Sequence, residues 1–195
     1  MSKFRRRLIM TKKSLPYVPL EYIASSGTQY IDTGIDVDYQ LKIKIKFLSN
    51  TKYGIPFGTY TNDWKIFNLQ LYETKTSAYF STKRVDFSEI MGQLSEIEMS
   101  CDGIYLNGEL QGLFSDYLYF LPQYTLYLFC NNSLGSAINN LSGNIYSSKL
   151  YAFDVLVQNL VPCKDLNGVV CMYDKVSKQF FYNQGTGSFI AGPEI

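Results

Sequence analysis

The sequence predicts an all-β chain, a two-layer antiparallel sandwich or a barrel, and three observations carry that prediction. Apolar and polar residues alternate with period two, most plainly in Leu41-Lys42-Ile43-Lys44-Ile45-Lys46-Phe47-Leu48, which turns one face to a core and the other to water. No comparable window keeps helical spacing for three turns. Aromatic residues make up 16% of the chain, with seventeen Tyr and thirteen Phe against one Trp, and such side chains suit pleated surfaces.

The remaining strands follow the same logic less cleanly, at 66–72, 77–80, 97–101, 125–130, 144–155 and 169–173. Between them stand residues that turns use for positive φ or for side-chain hydrogen bonds: Ser25-Ser26-Gly27, Asn131-Asn132-Ser133, Asn167-Gly168 and Gly185-Thr186-Gly187. Asn107-Gly108, flanked by Gly103-Ile104-Tyr105-Leu106 and Glu109-Leu110, is the sharpest signal and predicts a two-residue type I′ hairpin. A second hairpin is expected between 169–173 and 179–182, and a single helical turn around 87–92. Pro16 and Pro19 favour extended backbone, so residues 1–19 read as an arm with its linker and 20–195 as one sandwich. A chain of 195 residues, 46% hydrophobic and 18% charged, buries roughly 70% of its unfolded surface, enough for one full domain.

Charge is segregated. The net charge is only +1, but Lys3, Arg5, Arg6, Arg7, Lys12 and Lys13 have no acid among them, which leaves twelve basic against seventeen acidic groups in the body. There is no histidine, which removes the usual general base at neutral pH and every imidazole-based triad. Cys101, Cys130, Cys163 and Cys171 are 29, 33 and 8 residues apart and lack zinc-site spacing; they are expected to be reduced core residues. No secretory signal is expected, because Arg5 to Arg7 are followed by only Leu8, Ile9 and Met10 before Thr11. The most apolar window, 117–130, is interrupted by Pro122 and Gln123 and is too short for a membrane span of about 20 residues. No membrane partner is expected.

Two stretches carry a family resemblance. Glu21-Tyr22-Ile23-Ala24-Ser25-Ser26-Gly27-Thr28-Gln29-Tyr30-Ile31-Asp32-Thr33-Gly34-Ile35 opens the body. Val161-Pro162-Cys163-Lys164-Asp165, Met172-Tyr173-Asp174-Lys175-Val176, Phe181-Tyr182-Asn183 and Gly185-Thr186-Gly187-Ser188-Phe189 close it. As a pair they resemble the ends of a concanavalin A-like, laminin-G-like sandwich, versions of which recur in virion proteins of phages infecting gut bacteria. Glu96-Ile97-Glu98-Met99-Ser100-Cys101-Asp102-Gly103 and the hairpin after it resemble the middle of that domain, so the similarity covers about residues 20–193. The resemblance implies two curved antiparallel sheets in jelly-roll order. The start, Met1-Ser2-Lys3-Phe4-Arg5-Arg6-Arg7, is similar to that of such phage proteins.

Lectins, glycosidases, adhesion modules and purely structural pieces share this fold, so the candidate sites decide. Glu96 and Glu98 have the spacing of paired acids on one strand, but two positions further on, where the hydrolase pattern of this fold has another Glu, stands Ser100, and alternate acids also describe any solvent face. Tyr60-Thr61-Asn62-Asp63-Trp64 combines flat aromatics with polar groups, as sugar stacking requires; Tyr60, Asn62, Asp63 and Trp64 are the candidate glycan-binding residues. The other use for Trp64 is to cap the sandwich edge above a turn made by Asn62 and Asp63. Tyr117, Tyr119 and Phe120 form a second aromatic cluster, suited to burial against another copy. Asp32 and Asp102 invite calcium, but no stretch gathers the roughly 6 to 8 oxygen ligands that ion needs. Neither a metal nor another cofactor is expected.

In the arm, Phe4, Leu8, Ile9 and Met10 interleave with Lys3, Arg5, Arg6, Arg7, Lys12 and Lys13, the pattern of a segment that orders by docking on an acidic protein surface. A solvated tail and a nucleic-acid contact are the weaker alternatives. The expectation is therefore a non-enzymatic structural protein of a phage virion, in a head fibre, capsid decoration or tail appendage, made in the host cytoplasm. The arm docks on other virion proteins, the chain is a homo-oligomer, and host-surface or mucosal glycan is the further partner. The alternative is a glycan-binding adhesin using Tyr60 to Trp64; the third is a glycoside hydrolase.

Overall fold

A computed structural model describes residues 15–61, 65–114 and 124–195. Among these residues there are nineteen strands and no helix. In chain order they are β1 (Val18–Pro19), β2 (Ile23–Ser26), β3 (Ile31–Asp36), β4 (Leu41–Ser49), β5 (Gly54–Tyr60), β6 (Ile66–Leu71), β7 (Thr76–Ser81), β8 (Lys83–Phe87), β9 (Ser95–Met99) and β10 (Gly103–Leu106). There follow β11 (Glu109–Leu113), β12 (Thr125–Leu128), β13 (Asn131–Ser133), β14 (Ser136–Ile138), β15 (Ser142–Ala152), β16 (Val155–Lys164), β17 (Val170–Asp174), β18 (Phe180–Phe181) and β19 (Ile190–Ala191).

They form two sheets. The larger runs β11-β10-β9-β4-β15-β16-β17-β18, with β2 beside β15, β19 beside β2 and β1 beside β16. The smaller runs β14-β13-β5-β6-β7-β8, with β12 bridging β5 and β3. Among the described residues the strand pairings are antiparallel except β13 on β5, and the single bridge between Ile55 and Asn140 is parallel as well. The period-two pattern explains how the sheets face each other: Leu41, Ile43, Ile45 and Phe47 of β4 are at most 1% exposed, while Lys42, Lys44 and Lys46 point outward. Phe57, Phe67, Leu69, Phe80, Leu126 and Leu128 meet them from the smaller sheet in one hydrophobic core. A side chain such as Ile45 or Phe67 contributes about 1.5 to 3 kcal/mol on full burial.

The Asn107-Gly108 hairpin forms as expected, with φ of 51° and 87° at its two turn residues, and Asn107 Oδ1 accepts the Glu96 backbone N–H at 2.8 Å. Three local expectations are corrected. Residues 144–155 are not one strand: β15 ends at Ala152 and the chain reverses through Phe153 and Asp154, at φ of 52° and 61°. The alternation passes through this turn without a Gly or Asn to mark it. Asn131-Asn132-Ser133 is strand β13, and the turn lies after it, where Asn132 Oδ1 accepts the Gly135 N–H. Around 87–92 there is no helical turn: β8 ends at Phe87, and a tight turn follows in which Gln93 N–H donates to Ile90 O at 3.2 Å.

The two end motifs clasp each other. Tyr30 N–H donates to Asn183 Oδ1 at 3.1 Å, Gln184 N–H to Tyr30 O at 2.9 Å, and Gln29 Nε2 and Thr28 Oγ1 both donate to Thr186 O at 3.1 Å. Gln29, 3% exposed, also accepts from Ser25 Oγ and the Ser26 N–H.

The stretch read as a linker reaches onto the sheet. Val18 and Pro19 pair with Lys164 and Cys163, and Tyr17, 6% exposed, packs with Cys163, Cys171 and Tyr173 in a second small core on the outward side of the larger sheet. Its ring lies 4.5 Å from that of Tyr173. Removing residues 1–13 is expected to leave urea-denaturation stability nearly unchanged. Removing 1–19, or Tyr17→Ala alone, is expected to cost about 3 kcal/mol. Equal stability of the two truncations would contradict the role of Tyr17.

Cys130, Cys163 and Cys171 are buried thiols and Cys101 is half-buried. Cys163 and Cys171 are register partners on β16 and β17 with their sulfurs 3.6 Å apart. The hydrogen bond between them and burial push the Cys163 thiol up.

Candidate functional site

The outward face of the smaller sheet is built from the residues that alternate with its core positions. Register links them into a row across six strands: Asp32 pairs with Tyr127, Tyr127 with Gly58, Gly58 with Asn68, Asn68 with Tyr79 and Tyr79 with Arg84. Gln70, Ser77 and Asp86 form the next row.

The inner part of this face is buried. Tyr127 is 7% and Asn68 4% exposed; the Tyr127 ring stacks on Tyr30 at 4.9 Å, and burial together with Asp32 and Tyr30 pushes its phenol up to about 12. Asn68 Nδ2 reaches Asn131 Oδ1 at 3.5 Å, and its own Oδ1 is buried without a partner.

The outer part is open and polar. Asp86 Oδ1 accepts from Ser77 Oγ at 2.6 Å and Arg84 Nε at 2.7 Å, while Oδ2 accepts from Lys75 Nζ at 2.9 Å and from Arg84 Nη2. The Arg84 hydrogen bonds hold the Asp86 carboxyl well below the usual carboxylate range, against a burial effect in the other direction. Arg84 lies 5.9 Å from the Tyr79 ring centre and Lys75 5.8 Å from that of Tyr72. The two phenol oxygens are 3.4 Å apart, and burial plus this contact push Tyr72 up to about 12. Chemically, the cluster offers two aromatic rings flanked by two cations and a carboxylate that also holds the Ser77 hydroxyl.

Of the residues expected to contact glycan, Tyr60 closes β5 opposite Ile66 and, like Gly58, faces outward on this sheet, half-buried. Asn62, Asp63 and Trp64 lie outside the described residues, as do Tyr117, Tyr119, Phe120 and the arm residues from Lys3 to Lys13. The cluster around Tyr79 was not singled out from sequence. A signal existed: in a tight hairpin, positions equidistant from the turn pair, which joins Tyr79 to Arg84 and Ser77 to Asp86.

Glu96 and Glu98 lie on the outward face of the larger sheet. Both side chains, 42% and 39% exposed, point at Lys44, at 2.9 and 3.7 Å. They border a depression of about 170 Å³ with Lys44, Tyr105 and Gly108. Asp32 Oδ1 accepts the Gly34 N–H, and Asp102 is in contact with Ser100 Oγ. Among the described residues no three Cys, Asp or Glu side chains are grouped to hold a metal ion, and no helix is long and apolar enough to cross a membrane.

No family model matches the chain, and no curated protein matches it in sequence. Solved structures do match in fold. A proposed carbohydrate-binding protein from Bacteroides ovatus aligns with a TM-score of 0.55 at 11% identity, over 90% of this chain and 60% of that one. A heptameric SAP-like pentraxin from Limulus polyphemus aligns with a TM-score of 0.49 at 13% identity, over 74% and 79%. Domains LG4-5 of the mouse laminin alpha1 chain align with 0.49 at 14%, over 87% and 52%. This chain thus spans little more than half the length of two of the three. The sandwich is a concanavalin A-like jelly roll, as the end motifs imply.

Proposed function

We propose that this concanavalin A-like sandwich is a non-enzymatic display module of a phage virion, held on the particle by residues 1–13, and that it binds glycan on the outward face of its smaller sheet. The observation that carries the glycan part is the open cluster of Tyr72, Tyr79, Arg84 and Asp86, with Tyr60 on the same face. Flat rings beside charged hydrogen-bonding groups are what a pyranose needs. The Bacteroides ovatus neighbour, described as carbohydrate-binding, shares the architecture. A non-enzymatic role is supported by the placement of Glu96 and Glu98, both against Lys44 on an exposed strand face. The virion role is supported by the family resemblance and by the alternation of cationic and apolar residues in the arm.

A glycan array probed with the full chain, with Tyr79→Ala and with Trp64→Ala tests this function. Binding by the parent chain is expected, weakened by about 1 to 3 kcal/mol in Tyr79→Ala with little change in thermal midpoint. Loss confined to Trp64→Ala would move the site to the 60–64 turn, and an array negative for the parent chain would remove the glycan function. Deleting residues 1–13 is expected to keep the chain off assembled particles; normal incorporation would place the docking surface on the sandwich.

A further inference from the structure

We infer that the glycan taken by the smaller sheet is an anionic one, its carboxylate or sulfate held by Arg84 and Lys75 beside the Tyr72–Tyr79 pair; this rests on the glycan function proposed above. The hydrogen-bonding inventory of the cluster is one-sided. An ionised carboxylate offers about four lone-pair positions, and those of Asp86 are taken by Ser77 Oγ, Lys75 Nζ and two nitrogens of Arg84. The acid has nothing left to accept from a sugar hydroxyl.

Donors are in surplus. An ammonium carries three N–H groups and a guanidinium five, of which Asp86 uses one from Lys75 and two from Arg84. The phenols of Tyr72 and Tyr79 share one hydrogen bond, which leaves the second phenol proton to give. The missing partner is a group rich in acceptor oxygens. Gln70, in the row with Ser77 and Asp86, is the neutral amide placed for a neighbouring ring hydroxyl.

Charge points the same way. Lys75 and Arg84 against Asp86 leave one positive charge on a body in which acids outnumber bases, seventeen to twelve. Around Lys44 the balance is reversed, two carboxylates facing one ammonium. The Lys75 and Arg84 side chains remain 37% and 45% exposed, within reach of a ligand. Each also lies over a tyrosine ring, which limits the rotamer freedom that binding would otherwise remove. An arginine fork already oriented by Asp86 presents its remaining N–H groups in the planar geometry that carboxylate and sulfate oxygens accept.

The test uses the full chain with a heparin-derived octasaccharide, a hexagalacturonate, maltohexaose and a panel of other neutral glycans, by calorimetry at 50 and 300 mM salt. At least one acidic probe is expected to bind, maltohexaose is not, and the higher salt is expected to weaken binding several-fold. Arg84→Gln is expected to weaken it about tenfold or more and Lys75→Gln about threefold. Because Arg84→Gln also frees Asp86 and can loosen β8, Lys75→Gln, which keeps the Arg84–Asp86 pair, carries the test if the first variant melts early. Triple replacement of Arg5, Arg6 and Arg7 by Gln is expected to change nothing. Acidic binding that survives both sheet variants, or that disappears in the arm variant, overturns the inference. Binding of neutral glycans alone overturns it while leaving the glycan function intact; binding of no glycan at all overturns both.

Discussion

Gly185→Ala is expected to destabilise the sandwich by about 3 kcal/mol or more, the largest effect of any single methyl group in the two end motifs. A Cβ at Gly185 would stand 2.0 Å from the carbonyl oxygen of Thr28 and 3.1 Å from its carbon. Those are backbone atoms, so no side chain can swing away to make room. The backbone itself is fixed by the clasp: Thr186 N–H donates to Thr28 O, Gly185 N–H to Asn183 Oδ1 and Tyr30 N–H to the same Asn183 oxygen. Relieving the clash means separating residues 28–30 from 183–187, which breaks several hydrogen bonds that tie the start of the sandwich to its end. For a body of this size about 3 kcal/mol corresponds to a fall of roughly 10 °C in thermal midpoint. Gly92→Ala is the control. Gly92 has φ of 69° and open space around its Cβ position, so alanine there meets only left-handed strain, about 1 kcal/mol. Equal midpoints for the two variants would show that the clasp yields easily.

Asp174→Ala is expected to cost about 3 kcal/mol or more at pH 7 and to flatten the acid side of the stability profile. Asp174 is 1% exposed. Its Oδ1 accepts the N–H groups of Asn159 at 2.7 Å and Val176 at 3.0 Å, and Oδ2 accepts that of Ser177 at 2.9 Å. Alanine leaves all three amides without this acceptor. Burial alone would push the carboxyl up, but the hydrogen bonds from Ser177, Asn159 and Val176 outweigh it, and the net shift is downward. A carboxyl lower in the folded state than in the unfolded chain contributes its stabilisation above the unfolded value, about pH 4. That contribution is lost as pH falls through the lower folded value. Asp165 and Asp86 shift in the same direction, Asp165 through the Val169 amide and Asp86 chiefly through Arg84, so the parent chain is expected to weaken steadily below about pH 4. Urea midpoints at pH 7 and pH 3 check this. The gap between parent and variant should narrow at pH 3, and a gap of the same size at both would show that the charge of Asp174 contributes nothing.

Part of the architecture was legible because it is written in local signals. β4 alternates without a break, since each Lys between Leu41 and Phe47 marks an outward position. Asn107 and Gly108 both accept positive φ. The end motifs are recognisable together because they are one structure, Gln29 and Tyr30 bonding directly to 183–187. Other parts left no local trace. Phe153 at φ of 52°, 66% exposed at a hairpin tip, is a residue that turn chemistry disfavours, so β15 and the start of β16 read as one strand. Asn131 and Asn132 have turn-forming side chains but lie in β13, because pairing with β5 on one side and β14 on the other satisfies their backbone. Tyr17 looked like linker because burial by Cys163, Cys171 and Tyr173 depends on residues about 150 positions away.

What the sequence by itself determined is the all-β class, the segregation of charge between arm and body, the absence of imidazole chemistry and the identity of the ends of a concanavalin A-like sandwich. Each depends on composition, on neighbours two residues apart, or on a contiguous motif. What only the tertiary structure decided is which side chains stand together on the outward face of the smaller sheet. The row from Asp32 through Tyr127, Gly58, Asn68 and Tyr79 to Arg84 takes one residue from each of six strands, and no spacing along the chain encodes which of them share a row. Register does, and register is set by which residues can be buried: a slip of one position on β6 or β7 would turn Phe67, Leu69 and Phe80 to water and Asn68 and Tyr79 into the core. The demand that those aromatic and aliphatic side chains fill the space between the sheets therefore fixes where Tyr79, Arg84 and Asp86 stand on the other side.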